Sequence, residues 1–396
     1  MENVLVDCYE LMIPGRVVFG WGRRQEVGRW AAPLGRRAII LYGAQTLAEQ
    51  GLLDELADHL CQADVNLLWM ERIDHEPLVA DVDRLAGQLR QLQVDRGDFL
   101  LAVGGGSAID LAKAVAAMVV QPMPASVQDY LEGVGRGLRL VEDPLPVLAM
   151  PTTAGTGAEA TKNAVISSYD PPFKRSLRDD RLLPRVALVD PELTVSLPPS
   201  VTAASGMDAI TQLMESYISR RARPIPQALC VQGLQLAWSA LPRAVENPTD
   251  RQARTWMAHA ALLSGMALAN SGLGLAHGVA AALGVHVQAP HGLACALMLP
   301  TALRVNAQVR QTELAELAHM LLHLPAGCSA EAAVQALIEA VEELCCRLGL
   351  PGRLSQLGVR PEQIPAIVRD SYGSSMSANP QEVPETELTG LLEALL

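Results

Sequence analysis

DPELTVSLPPS, residues 190–200, is where the pattern of the chain changes. Neither Pro198 nor Pro199 can continue an element, because proline lacks a backbone N–H and its φ is fixed. Ahead of this stretch, short apolar and β-branched runs alternate with helical patterns. Beyond it, helical periodicity is almost all there is. The change predicts a boundary between one domain of residues 1–197 and another of residues 198–396.

Working back from the boundary, RVVFG (16–20), AIILYG (38–43), VNLLWM (65–70), FLLAVGGG (99–106) and PVLAMP (146–151) read as strands. TLAEQGLLDELADHLCQ and LVADVDRLAGQLRQL lie between them with apolar residues at helical spacing. Such alternation predicts a parallel sheet in an α/β domain. NAVISS (163–168) and RVALVD (185–190) extend the strand set. Working forward, IPQALCVQGLQLAWSALPRAVE, RTWMAHAALLSGMALA, AEAAVQALIEAVEELCCRLGL and TELTGLLEALL predict an all-helical domain.

Of 396 residues, 49% are hydrophobic, which provides for a large core. Only 4% are aromatic, so that core is built from Ala, Leu and Val and suits closely packed helices. The net charge is −12 with no concentrated run of Lys or Arg, which argues against nucleic acid. Seven cysteines, an odd number with no C-x-x-C pair, fit reduced thiols in a cytoplasmic protein. MENVLVDCYELMIPG carries Glu2 and Asp7 and lacks the layout of a signal peptide. No apolar run reaches about 18 residues without charge, Gly or Pro, so no membrane span is expected.

Three stretches carry candidate chemistry. In LLAVGGGSAIDLAKAVAAMVV (100–120) a strand runs into Gly104, Gly105 and Gly106, and Ser107 opens a helix. Glycines allow close backbone approach, and a helix N-terminus offers free N–H groups to a phosphate. Ser107 and Asp110 equally fit an S-x-x-D capping box. PTTAGTGAEATKNAVI (151–166) offers Thr152, Thr153 and Thr156 beside a strand, suited to a cofactor's polar parts or to a plain helix-capping turn. LGLAHGVAAALGVHVQAPHGLACALMLP (273–300) places His277, His286 and His291 in an otherwise apolar segment. A histidine among apolar residues is usually a packed core residue, but three so close together point toward metal ligation. In SGMDAITQLMESYISRR (205–221), Asp208 and Gln212 share one helical face. Asp208 with His277 and His291 makes a three-donor set with an open position; a carboxylate favoured by the helix dipole is the simpler alternative.

These motifs resemble the iron-containing alcohol dehydrogenases. The likeness runs from IPGRVVFGWGRRQEVG through GGGSAIDLAKAVA, DYLEG, PTTAGTGAEATKNAVI, LPRVALVDPEL and GMDAITQLMESYIS to GVAAALGVHVQAPHGLACALMLP and SSMSANPQEVPETEL. It implies an α/β nucleotide-binding domain followed by an all-α domain, the architecture shared with dehydroquinate synthases, with a cleft for NAD or NADP and a divalent metal, Fe²⁺ or alternatively Zn²⁺. By the resemblance, Gly104, Gly105, Gly106, Ser107 and Asp110 match the pyrophosphate loop. Thr152, Thr153 and Thr156 match the nicotinamide side, Lys174 a cofactor-contacting lysine, and Asp208, His277 and His291 metal ligands.

Three positions depart from the family pattern. Gln212 stands where the family has a fourth ligand, a histidine. Ala281 stands where it has a further active-site histidine. Gly43 stands where an aspartate often favours NAD over NADP. The first two leave open the metal and the proton route, for which His286 is a candidate; the third leaves cofactor preference open. The expected activity is hydride transfer between NAD(P)(H) and a small primary alcohol or aldehyde by a cytoplasmic homo-oligomer, a dimer. The alternatives are a dehydroquinate synthase-like lyase and a metabolite-binding homologue that has lost catalysis.

Overall fold

The structure is a computed structural model describing residues 9–122 and 125–396. Residues 1–8, with Cys8 and most of the stretch read for a signal peptide, lie outside the described residues, as do 123–124. The chain forms two compact units, one of Ile13–Leu197 and one of Pro198–Leu396, to which the described residues 9–12 also belong rather than to the first domain.

The first unit contains β1 (Val17–Phe19), α1 (Val27–Ala31), β2 (Arg37–Tyr42), α2 (Gln45–Glu49), α3 (Leu52–Gln62), β3 (Asn66–Arg72), α4 (Val79–Gln91), β4 (Asp98–Gly104), α5 (Gly106–Met118), β5 (Val147–Pro151), β6 (Asn163–Tyr169), β7 (Pro172–Arg178) and β8 (Val186–Val189). Six strands form one parallel sheet in the order β1-β8-β5-β4-β2-β3. Every residue of the central β4 is buried, which is why its sequence after Asp98 is an unbroken apolar run rather than an alternating one. The period of two still sorts its side chains. Phe99, Leu101 and Val103 join Ala38 and Ile40 in a core with α1 and α3, while Leu100 and Ala102 join Ile39 and Leu41 in a core with α4 and α5.

The structure departs from the sequence pattern at three places. TLAEQGLLDELADHLCQ forms two helices because Gly51 takes φ +73°, which ends α2 and restarts the chain as α3. NAVISS does not enter the main sheet. As β6 it pairs antiparallel with β7, an element whose sequence PFKRSLR has too many cations to read as a strand. Ser107 does not cap α5. The helix starts at Gly106 behind Gly105, with no side-chain cap, and Asp110 instead accepts a hydrogen bond from the N–H of Val165 at 3.0 Å.

The second unit contains α6 (Pro199–Ile218), α7 (Pro224–Glu246), α8 (Arg251–Ser271), α9 (Leu275–Val287), α10 (His291–Asn306), α11 (Gln311–Leu322), α12 (Ala330–Arg347), α13 (Ile364–Asp370) and α14 (Glu385–Ala394). α6 is the hub. It packs against α7, α8 and α10, and its residues from Gly206 to Ile218 are all buried. Pro199 occupies the first turn of α6, where its missing N–H costs nothing. Among the described residues, no single helix is long and apolar enough to cross a membrane.

Candidate metal centre and nucleotide-binding edge

Asp208, Gln212 and Glu215 stand on one face of α6, spaced four and seven residues from the first. All three are buried, at 2, 3 and 2% exposure. Glu215 explains much of the local geometry. Its Oε2 accepts from the N–H of Gly274 at 3.0 Å and its Oε1 from that of Ala276 at 2.7 Å, so this carboxylate caps α9 from another helix. Its Oε2 also lies 2.7 Å from Nδ1 of His277. A carboxylate only accepts, so Nδ1 donates to Glu215; Nε2 of His277 faces a second carboxylate, Asp208 Oδ1, at 3.2 Å and carries a hydrogen as well, one that a bound cation would displace.

His291 is the first residue of α10. Gly292 follows it, and any side chain there would collide with the carbonyl of Ala204, one turn before Asp208 on α6. That close approach brings His291 Nε2 to 3.9 Å from Asp208 Oδ1, with its ring centroid 5.5 Å from that of His277. One turn further along α10, Cys295 Sγ lies 3.6 Å from His291 Nε2. Donor atoms of Asp208, His277, His291 and Cys295 all fall within 4.8 Å of one another.

The electrostatics of the cluster follow from this packing. Burial alone would raise the Asp208 pKa, but the hydrogen bond from His277 and the nearby His291 outweigh it and hold the carboxyl below its ordinary range. Burial would lower that of His277; the Cys295 sulfur, Asp208 and Glu215 reverse this and raise it well above ordinary. Burial pushes the Cys295 thiol up to about 12. A carboxylate and two imidazoles, one fixed by a second carboxylate on its far nitrogen, form a donor set that fits a divalent cation.

Other candidate residues have different partners. The Oε1 of Gln212 is 2.7 Å from the Ser264 hydroxyl. His286 lies two and a half turns beyond His277, on the opposite face of α9, and its Nε2 is 2.7 Å from Asp370. Ala281, one turn beyond His277, contributes only a methyl group.

In the first unit the other candidates gather at the carboxyl ends of adjacent strands. Gly43 follows β2, Gly104 ends β4 and Thr152 follows β5. The N–H of Gly43 donates to Val103 and that of Thr152 to Gly104, each at 3.0 Å. A Cβ on Gly106 would come within 2.8 Å of Thr156, and one on Gly105 within 3.3 Å of Thr153, so both threonines back the glycine loop. A glycine loop leading into a helix without a side-chain cap, at the carboxyl edge of a parallel sheet, can cradle a diphosphate. Lys174 on β7 pairs with Glu76 at 2.6 Å. Asp110 lies 3.5 Å from Nζ of the buried Lys113, so it braces α5 and the β6 hairpin.

Two models of known protein families match: Iron-containing alcohol dehydrogenase over residues 14–191, and the Fe-containing alcohol dehydrogenase family, C-terminal, over residues 202–396. The chain belongs to the iron-containing alcohol dehydrogenase family. It is 32% identical to the NAD-dependent methanol dehydrogenase of Bacillus methanolicus, covering 91% of this chain and 92% of that protein. It is also 32% identical to the lactaldehyde reductase of Escherichia coli, over 94% of this chain and 96% of that one. Among solved structures, the alcohol dehydrogenase from Oenococcus oeni superposes with a TM-score of 0.91 at 29% identity, covering 98% of this chain and 100% of that one. Membership sets the class of chemistry: a metal-dependent, NAD(P)-linked oxidoreductase of alcohols and aldehydes.

Glu215 and Cys295 do not emerge from the sequence reading. Glu215 has a signal there, a second carboxylate two turns along the same apolar helix face as Asp208. Cys295 has a weaker one, its position one turn after His291, because a single cysteine in an apolar run reads as a small hydrophobe.

Proposed function

We propose that the chain interconverts small primary alcohols and their aldehydes, with Asp208, His277 and His291 holding the divalent cation and the loop from Gly104 to Gly106 holding the cofactor diphosphate. The observation that carries this reading is the cluster of buried Asp208 and His277 with half-buried His291, in which Glu215 holds Nδ1 of His277, in a member of this family. When bound, the cation supplies Lewis acidity toward the substrate oxygen and the nicotinamide exchanges hydride with the carbon.

The chain's own residues do the positioning. Asp208 brings one negative charge into an apolar interior, where it offsets part of the cation's charge. Glu215 locks the His277 ring, so its Nε2 stays directed at Asp208. Thr153 and Thr156 support the glycine loop from behind. Ala281 offers no proton carrier, and His286 is occupied with Asp370, so the substrate proton leaves by another route, through water or the cofactor ribose.

Gly43 carries no carboxylate to repel a 2′-phosphate, so the reading includes use of NADP(H). Relatives named for methanol and lactaldehyde support short alcohols and aldehydes as substrates, while another, also 32% identical, is named for long-chain alcohols. The odd cysteine count supports a reducing, cytoplasmic setting, and the reading extends to a homodimer, which sedimentation checks directly. The test of the activity is a panel of short alcohols and aldehydes with both cofactors, followed by reduced-nicotinamide absorbance. Turnover supports the reading. Cofactor binding with no net oxidation or reduction across the panel overturns it.

A further inference from the structure

We propose that Cys295 is a fourth metal ligand through its thiolate, in the role the sequence pattern offers to Gln212, and that it tunes the centre toward Zn²⁺ over Fe²⁺. This rests on Asp208, His277 and His291 forming the metal site.

Three observations carry it. His291 and Cys295 are one turn apart at the start of α10, so their side chains share a face. That face meets Asp208 and His277, and the Sγ of Cys295 belongs to the same group of donors within 4.8 Å. Cys295 is fully buried.

The spacings also suit coordination. Bonds of about 2.0–2.1 Å to oxygen or nitrogen and about 2.3 Å to sulfur give tetrahedral edges of about 3.3 Å between N and O and about 3.6 Å between N and S. The structure has 3.2 Å from His277 Nε2 to Asp208 Oδ1, 3.9 Å from His291 Nε2 to Asp208 Oδ1, and 3.6 Å from Cys295 Sγ to His291 Nε2. These are close to the edges of a four-donor O, N, N, S shell, which a substrate oxygen would enter by expansion to five-coordination. Gln212 is the competing donor, and its amide oxygen has the Ser264 hydroxyl as its partner at 2.7 Å.

The chemistry balances simply. As the metal binds, the S–H proton of Cys295 and the Nε2 proton that His277 gives to Asp208 both leave to solvent, and no redox change occurs. A thiolate is a soft ligand. It raises affinity for Zn²⁺ more than for Fe²⁺, adding to the preference for Zn²⁺ that an O/N shell already has.

Co²⁺ tests this in the full chain, because its visible ligand-field bands report occupancy and a near-ultraviolet sulfur-to-cobalt charge-transfer band reports thiolate coordination. Metal-stripped wild type, Cys295→Ser, Cys295→Ala and Gln212→Ala are titrated with Co²⁺, with circular dichroism confirming that each is folded. The expected result is one bound Co²⁺ with the charge-transfer band in wild type and Gln212→Ala. The band disappears in whichever Cys295 variant is folded, while ligand-field bands remain. In Zn²⁺–Fe²⁺ competition, Cys295→Ser lowers the preference for Zn²⁺ by about tenfold or more, as loss of a soft ligand requires. Ligand-field bands without a charge-transfer band in wild type would overturn the thiolate ligand and leave the three-residue site standing. A charge-transfer band that survives in folded Cys295 variants would overturn it too, by assigning the sulfur elsewhere. Failure of wild type to bind Co²⁺ at all would overturn the metal site and the proposal together.

Discussion

Glu215 Oε2 and His277 Nδ1 lie 2.7 Å apart, both buried, while the same carboxylate caps the first turn of α9. One side chain therefore fixes where His277 sits and which of its nitrogens faces Asp208. Carboxylates behind metal-binding histidines commonly contribute about 10- to 100-fold in metal affinity. Glu215→Gln keeps the shape and removes the charge. It is expected to weaken Zn²⁺ and Fe²⁺ binding within that range, measured by competition with a chelating dye. Unchanged affinity would mean that Glu215 serves only as a helix cap.

Gly43 sits at the carboxyl end of β2, and a Cβ there would meet Gly104 Cα at 3.5 Å, an ordinary contact. Its φ is outside the left-handed region, so an added side chain brings no backbone strain there. Gly43→Asp is expected to lower kcat/KM for NADP(H) relative to NAD(H) by roughly 100-fold, about 2.7 kcal/mol of discrimination. Steady-state kinetics with both cofactors checks this. An unchanged ratio would place the adenosine ribose away from Gly43.

What was legible in the sequence follows the strength of each local signal. β4 and β5 are buried on both faces, and such strands leave unbroken apolar runs. Pro198 and Pro199 mark the start of α6 because proline is well suited to a helix's first turn, whereas Pro242 and Pro300 lie inside α7 and α10 and mark no boundary. β7 left no such mark. Its cations face partners such as Glu76 and Glu132 that only the tertiary fold supplies. Gln212 with Asp208 was readable as a shared helix face, but its engagement with Ser264 on α8 depends on packing between helices. The convergence of Cys295 on the same point depends on Gly292 letting α10 approach α6, a contact that spacing along the chain does not encode.

Glu159 is 2% exposed, and burial, against its backbone hydrogen bond and the charge of Lys113, raises its pKa from 4.5 to about 7. Below the unfolded value it is protonated in both states, so folding carries no penalty. Between the two values the unfolded chain ionises first, and stability falls as pH rises through that window. Above the folded value the penalty is complete, on the order of 3 kcal/mol. Glu159→Gln is expected to match wild type near pH ~5 and to exceed it in urea unfolding near pH ~8. A difference independent of pH would show that Glu159 has the same pKa in the folded and the unfolded chain.

The central claim, that Asp208, His277 and His291 hold a cation required for hydride transfer, is tested most directly by metal removal. Wild type and His277→Ala are stripped with a chelator, assayed with NADPH or NADH and a short aldehyde, and assayed again after addition of Fe²⁺ or Zn²⁺. Bound metal is quantified in the same samples. The expected result is loss of turnover from wild type on stripping and its return with one equivalent of metal. His277→Ala should remain low throughout, short by several kcal/mol of transition-state stabilisation. Full turnover by metal-free wild type, or by His277→Ala without bound metal, would contradict the account.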